Sequence, residues 1–221
     1  MSDFSIWFNT GVDHISDLQG YDHILFLFIT MGVFLWRDIK QVLYLITGFT
    51  LGHSLTLALS VLKMIHFNST FIEILIPITI LLTALFQLFQ QKNQLTLNVQ
   101  IYFVVFFGLI HGMGFSTLLS SMLGKQANIT LPLFYFNLGI EIGQIIIVAM
   151  ILSLSTLLIQ LIQVQKKHYI LVLAAISILM SVKMIADRIP QKNEEKKEIG
   201  RIPFKTSYFC RHSISEFTFY A

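Results

Sequence analysis

The chain has 221 residues, of which 55% are hydrophobic and 12% charged, with a formal net charge of +3 and a mean hydropathy of +0.72. Soluble domains carry about 25% charged residues, so composition excludes a soluble globular protein and points to a polytopic membrane protein whose first partner is the lipid bilayer. The small positive balance sits in short loops and the tail and is not a nucleic-acid signal, while the single cysteine, Cys210, excludes a disulfide framework and a thiolate metal site.

Residues 2–19 are too short and too polar to span a bilayer. Phe4, Phe8, Val12, Ile15 and Leu18 recur at helical spacing, which predicts an amphipathic helix lying in the membrane interface. No basic n-region precedes it, so a cleavable signal peptide is not expected. His14 and Asp17 stand three apart and share a face of this helix.

Six spans are expected after it, at about 21–36, 42–65, 71–90, 97–123, 131–162 and 169–186. The first opens on Asp22 and His23. The second carries His53 followed by Ser54. The third begins with Glu73 and has Pro77 one turn later, a kink site. The fourth carries His111, and the fifth a polar stripe of Asn137, Glu141 and Gln144 at i, i+4 and i+7. The fold class expected is all-α, a single membrane helix bundle over residues 1–190. From residue 187 the chain mixes Arg188, Lys192 and Lys196 with Glu194, Glu195 and Glu198, and 191–221 reads as a solvated polar tail.

Three spans pair an ionisable residue with two glycines. Gly48 and Gly52 lead into His53, Gly108 and Gly112 bracket His111, and Gly139 and Gly143 bracket Glu141. Small residues four apart let membrane helices approach closely, so these spans are expected to pack tightly and bring their polar residues together. Ionisable residues inside a membrane usually mark a site or pathway. His14, Asp17, Asp22, His23 and Glu73 fall at the N-terminal side of the bundle, with His53, His111 and Glu141 deeper, so the set predicts a polar column. Imidazole nitrogens with carboxylate and amide oxygens suit a divalent transition metal such as nickel, cobalt or zinc. Ser54, Glu73, Asn137 and Gln144 are expected beside the ligands or along the pathway.

Six spans place both termini on one side. Arg37, Lys40, Lys92, Lys166 and Lys167 lie in the loops after the first, third and fifth spans. The positive-inside rule makes those loops cytoplasmic and the N-terminus external, although the basic tail argues the other way.

Four ordered motifs carry a family resemblance. They are His14-Ile15 with Gly20-Tyr21-Asp22-His23-Ile24-Leu25-Phe26, then Gly48-Phe49-Thr50-Leu51-Gly52-His53-Ser54-Leu55-Thr56-Leu57, then Leu109-Ile110-His111-Gly112-Met113-Gly114-Phe115, and Phe136-Asn137-Leu138-Gly139-Ile140-Glu141-Ile142-Gly143-Gln144. Over about residues 8–165 the chain resembles the HupE/UreJ family, in its second branch. The resemblance implies a bacterial inner-membrane protein, related to nickel or cobalt permeases linked to hydrogenase and urease maturation. It implies that His14, Asp22 and His23 match the family's first histidine–aspartate motif and that His111 matches its histidine–glycine motif. The fourth-span motif here has one histidine and ends on Phe115, and the spacing from His14 to Asp22 is longer than in the known permeases.

A metal-ion permease is therefore the leading functional expectation. The alternative is an intramembrane zinc-dependent hydrolase, in which the histidines hold zinc with one open position and activate water against a lipid-like substrate.

Overall fold

The computed structural model describes residues 3–18, 20–65, 67–90, 96–123 and 129–189. The chain divides after Arg188. The polar tail expected at 191–221, with Cys210, lies outside the described residues, as do the loop residues 91–95 and 124–128.

The described residues form helices and no strands: α1 (Asp3–Ser16), α2 (Asp22–Met31), α3 (Ile39–Val61), α4 (Ser69–Gln90), α5 (Leu97–Gly114), α6 (Ser116–Leu123), α7 (Thr130–Thr156) and α8 (Lys166–Arg188). A 3-10 turn at Trp36–Asp38 leads into α3, and a π turn at Leu157–Leu161 extends α7. Among the described residues five helices are long and apolar enough to cross a membrane: Trp36–Val61, Ser69–Phe89, Leu97–Gly114, Thr130–Leu161 and Lys166–Arg188. The chain is a multi-pass membrane protein.

Two elements differ from the expected spans. The stretch 21–36 contains only the ten-residue α2, about 15 Å long at 1.5 Å per residue. It gives way at Gly32 to a turn in which the Asp38 carboxylate accepts the Leu35 amide at 3.1 Å. The stretch 97–123 is broken at Phe115, which caps α5 and separates it from α6.

Two glycine-packed helix pairs organise the bundle. A methyl group placed on Gly52 would strike the Val105 carbonyl, one on Gly108 the Phe49 carbonyl, and one on Gly112 the His53 carbonyl. Contacts thus climb both helices together, so α3 and α5 run parallel with touching backbones. The second pair is built the same way: Gly11 of α1 faces Phe136 and Ile140 of α7, Gly139 faces Phe8 and Val12, and Gly143 faces Ile15. The Phe8–Ile15 face of α1, which the sequence assigns to the membrane interface, is the face that packs on α7.

The same direction continues beyond α1. Gly32, just past α2, offers its carbonyl 3.0 Å from the Ser155 hydroxyl, and the Trp36 amide lies 3.4 Å from Thr156 Oγ1. Residues 8, 15, 32 and 36 therefore meet α7 at 139, 143, 155 and 156 in turn. α1 and α2 form one interrupted path alongside α7, α1 ending at Ser16 and α2 starting at Asp22. Backbone groups freed at such a break are tolerated at membrane depth only where protein or a polar cavity surrounds them.

Candidate metal centre

The break beside α7 and the end of α5 deliver histidines to one place. His14 is near the last turn of α1, and Asp22 and His23 open α2. His53 lies eight residues before the end of α3, about 12 Å along the helix. His111 is in the last turn of α5, one residue before Gly112. The close approach at Gly108 and Gly112 brings His111 beside the His53 backbone.

His14, His23 and His53 each present a ring nitrogen, all within 4.8 Å of one another. His111 stands next to them, its ring 5.3 Å from that of His23. A tetrahedral ion with nitrogens at about 2.0–2.1 Å separates them by about 3.3 Å, so contraction of the three-histidine set by roughly 1.5 Å closes it around an ion.

The imidazoles are oriented for ligation. His23 Nδ1 lies 3.0 Å from Asp22 Oδ1, so its N–H donates to the carboxylate and Nε2 is left as the free lone pair. His111 Nδ1 is 2.9 Å from the Phe107 carbonyl, which fixes the same tautomer there. The Nε2 atoms of His14, His23, His53 and His111 and the Nδ1 of His53 are buried with no hydrogen-bond partner among the described residues. Leaving a buried polar atom unpaired costs about 1–3 kcal/mol. One of the two His53 nitrogens carries the proton, so up to four of these five can offer a lone pair, an arrangement that favours a metal ion as ligand.

Arg188 closes the shell from the far end of α8. Its Nη2 is 3.3 Å from Asp22 Oδ2, and its Nη1 donates to the Glu73 carbonyl at 2.6 Å. Pro77 explains that acceptor. In a regular helix the Glu73 carbonyl would take the amide hydrogen of residue 77, and proline has none. By composition Arg188 belongs with the mixed charges of the tail, yet α8 continues through it. The orphaned carbonyl left by Pro77 was the available signal for a donor.

The remaining expected residues are distributed differently. Glu141 is half-buried on α7 and accepts a hydrogen bond from Thr47 Oγ1 of α3 at 2.8 Å, and Gln144 accepts one from Thr50 at 2.8 Å. Neither belongs to the three-histidine group. Ser54 and Asn137 line a shallow groove between α3 and α7, together with Leu51 and Leu133. The Glu73 side chain is exposed and joins the site only through its backbone. Asp17 is exposed and stands beside Gly20 in the break.

Phe115, where α5 breaks, lies over His14 with ring centroids 3.9 Å apart and stacks on Phe136 at 5.3 Å. On the other side Phe26, Phe49 and Phe107 form an aromatic layer. Phe26 is 4.9 Å from Phe49 and 6.0 Å from Phe107, and both Phe26 and Phe49 lie within 5.4 Å of the His111 ring. Phe26 and Phe107 also wall a cavity of about 860 Å³. Thr30, Thr83, Gln41 and Gln100 line it as well, along with Arg37, Lys166 and Lys167.

Comparison with known proteins gives one family. The model of the family described as HupE / UreJ protein matches residues 1–187. No curated protein and no solved structure matches the chain.

Proposed function

The chain belongs to the HupE/UreJ family, and on that premise we propose that it is a permease for a divalent transition-metal ion of the nickel or cobalt type. The observation that carries this reading is the meeting of His14, His23 and His53, from three separate elements, with ligand nitrogens within 4.8 Å. Imidazole donors suit nickel, cobalt and zinc, whereas magnesium and calcium prefer oxygen ligands. His14, His23 and His53 hold the ion, and His111 offers a fourth nitrogen on the path inward. Asp22 fixes the His23 tautomer. Asp17, at the break, is the outer capture group.

Beyond His111 the path meets the layer of Phe26, Phe49 and Phe107 and then the cavity behind it. Arg37, Lys166 and Lys167 line that cavity, and by the positive-inside rule they face the cytoplasm of a bacterial inner membrane, with the N-terminus outside. Asp38 also lines the cavity, 3.7 Å from Arg37, and the positive excess that remains lowers the local concentration of free dications and disfavours rebinding after release. Neutral imidazoles are the binding form, so protons compete with the metal and acidification weakens capture.

Uptake of radioactive nickel and cobalt by cells or proteoliposomes tests the reading. Wild-type protein is expected to accumulate the ion, and His23→Ala and His111→Ala to abolish accumulation. Unchanged uptake by both variants overturns it.

A further inference from the structure

We propose that Arg188 is a tethered counter-cation of the metal site: it neutralises Asp22 when no ion is bound and keeps binding of the transported ion weak enough for release. The inference rests on the permease reading and extends it to a residue of α8.

The charge balance is simple. His14, His23, His53 and His111 are neutral in their binding form, Asp22 carries one negative charge and Arg188 one positive charge. The shell without an ion therefore sums to zero. A divalent ion raises it to two positive charges. With Arg188 made neutral, the same two states carry one negative and one positive charge. In a low-dielectric bundle the second arrangement attracts a dication far more strongly. Asp22 and Arg188 are largely removed from solvent, with side chains 11% and 25% exposed, so their charges are weakly screened.

The anchoring of Arg188 points the same way. One guanidinium arm holds Asp22 Oδ2 and the other holds the Glu73 carbonyl that Pro77 leaves without a helical donor. The guanidinium thus has an acceptor of its own on α4 and does not depend on the carboxylate for its place. Asp22 in turn uses Oδ1 for His23 and Oδ2 for Arg188, so one carboxylate links the counter-cation to a ligand histidine. A neutral ion-free shell also lets an unloaded carrier change conformation without moving a bare buried charge.

The test uses the full chain in detergent or nanodiscs, titrated calorimetrically with nickel and cobalt chloride, and proteoliposome uptake. Arg188→Gln is expected to bind at least roughly tenfold tighter, with uptake that saturates at lower concentration and runs at a lower maximal rate. Arg188→Lys is expected to restore weak binding and most of the rate. Pro77→Ala returns a helical donor to the Glu73 carbonyl, loosens Arg188, and is expected to tighten binding by a smaller factor. It also keeps the test open where Arg188→Gln does not fold. A purely structural arginine would lower affinity and rate together in both variants. Binding that is unchanged or weaker in Arg188→Gln, or in Pro77→Ala where the first is unfolded, overturns the proposal. Wild-type protein that binds neither metal overturns the permease reading, and this inference with it.

Discussion

The two glycine-packed helix pairs use one backbone device for different ends. In α3 and α5, Gly52, Gly108 and Gly112 seat the helices against each other, and both helices place a histidine in the cluster. In α1 and α7, Gly11, Gly139 and Gly143 do the same, but only α1 contributes a cluster residue, His14. Helix phase explains the difference. Successive residues turn by about 100°, so Glu141, two after Gly139, lies about 200° from the glycine face and looks toward α3. His111 directly precedes Gly112 and stays beside the glycine face. The same four-residue glycine spacing therefore brackets a residue held beside the interface in one pair and a residue turned away from it in the other.

That comparison can be broken at its backbone. Gly52→Leu and Gly11→Leu drive a side chain into the Val105 and Phe136 carbonyls, and neither backbone can retreat without parting the helices. Each is expected to lose well over about 3 kcal/mol, beyond ordinary overpacking, and to leave little folded protein in detergent by size-exclusion chromatography. A stable Gly11→Leu variant beside an unfolded Gly52→Leu variant would show that only α3 and α5 need the close approach.

A second experiment sharpens the chemical contrast. His53→Ala is expected to weaken cobalt binding by about 100-fold or more, because it removes a ligand from the first coordination sphere. Glu141→Gln retains an oxygen for Thr47 and is expected to change affinity by less than about threefold. Calorimetric titration checks both, and a large loss in Glu141→Gln would return that carboxylate to the ligand set. The smallest effect is expected at Gly48, where an added methyl group finds only side-chain atoms at 3.4 Å and beyond. Gly48→Ala should shift thermal stability by no more than about 0.5 kcal/mol in either direction.

Much of this was legible in residue types and spacing. The all-helical membrane class follows from composition, the tight helix contacts from glycines four apart, and His14, Asp22, His23, His53 and His111 from ionisable groups in apolar surroundings. Several features were not legible locally. The break of α5 at Phe115 is flanked by Gly112, Gly114, Ser116 and Thr117, residues that favour helix ends, but it lies within a stretch whose mean hydropathy stays that of one span. The packing of α1 on α7 joins segments about 130 residues apart, and an amphipathic pattern alone does not say whether its apolar face meets lipid or protein. Arg188 sits where composition turns polar, so charge counting assigned it to solvent, whereas the acceptors that hold it belong to α2 and α4.

The bond between Ser155 and Gly32 has a mechanical consequence. Ser155 Oγ meets both the Gly32 carbonyl and the Tyr169 hydroxyl, at 3.0 and 2.8 Å, which pins the C-terminal end of α2 to α7 and α8. The opposite end, with Asp22 and His23, follows the interruption in the chain. α2, about 15 Å long, is thus held at Gly32 by Ser155 and at its other end through the Asp22–Arg188 side-chain pair, so a tilt pivots at Gly32 and is resisted by that pair. A tilt of about 4° about that pivot carries His23 through roughly 1 Å, most of the travel needed to draw the histidines around an ion.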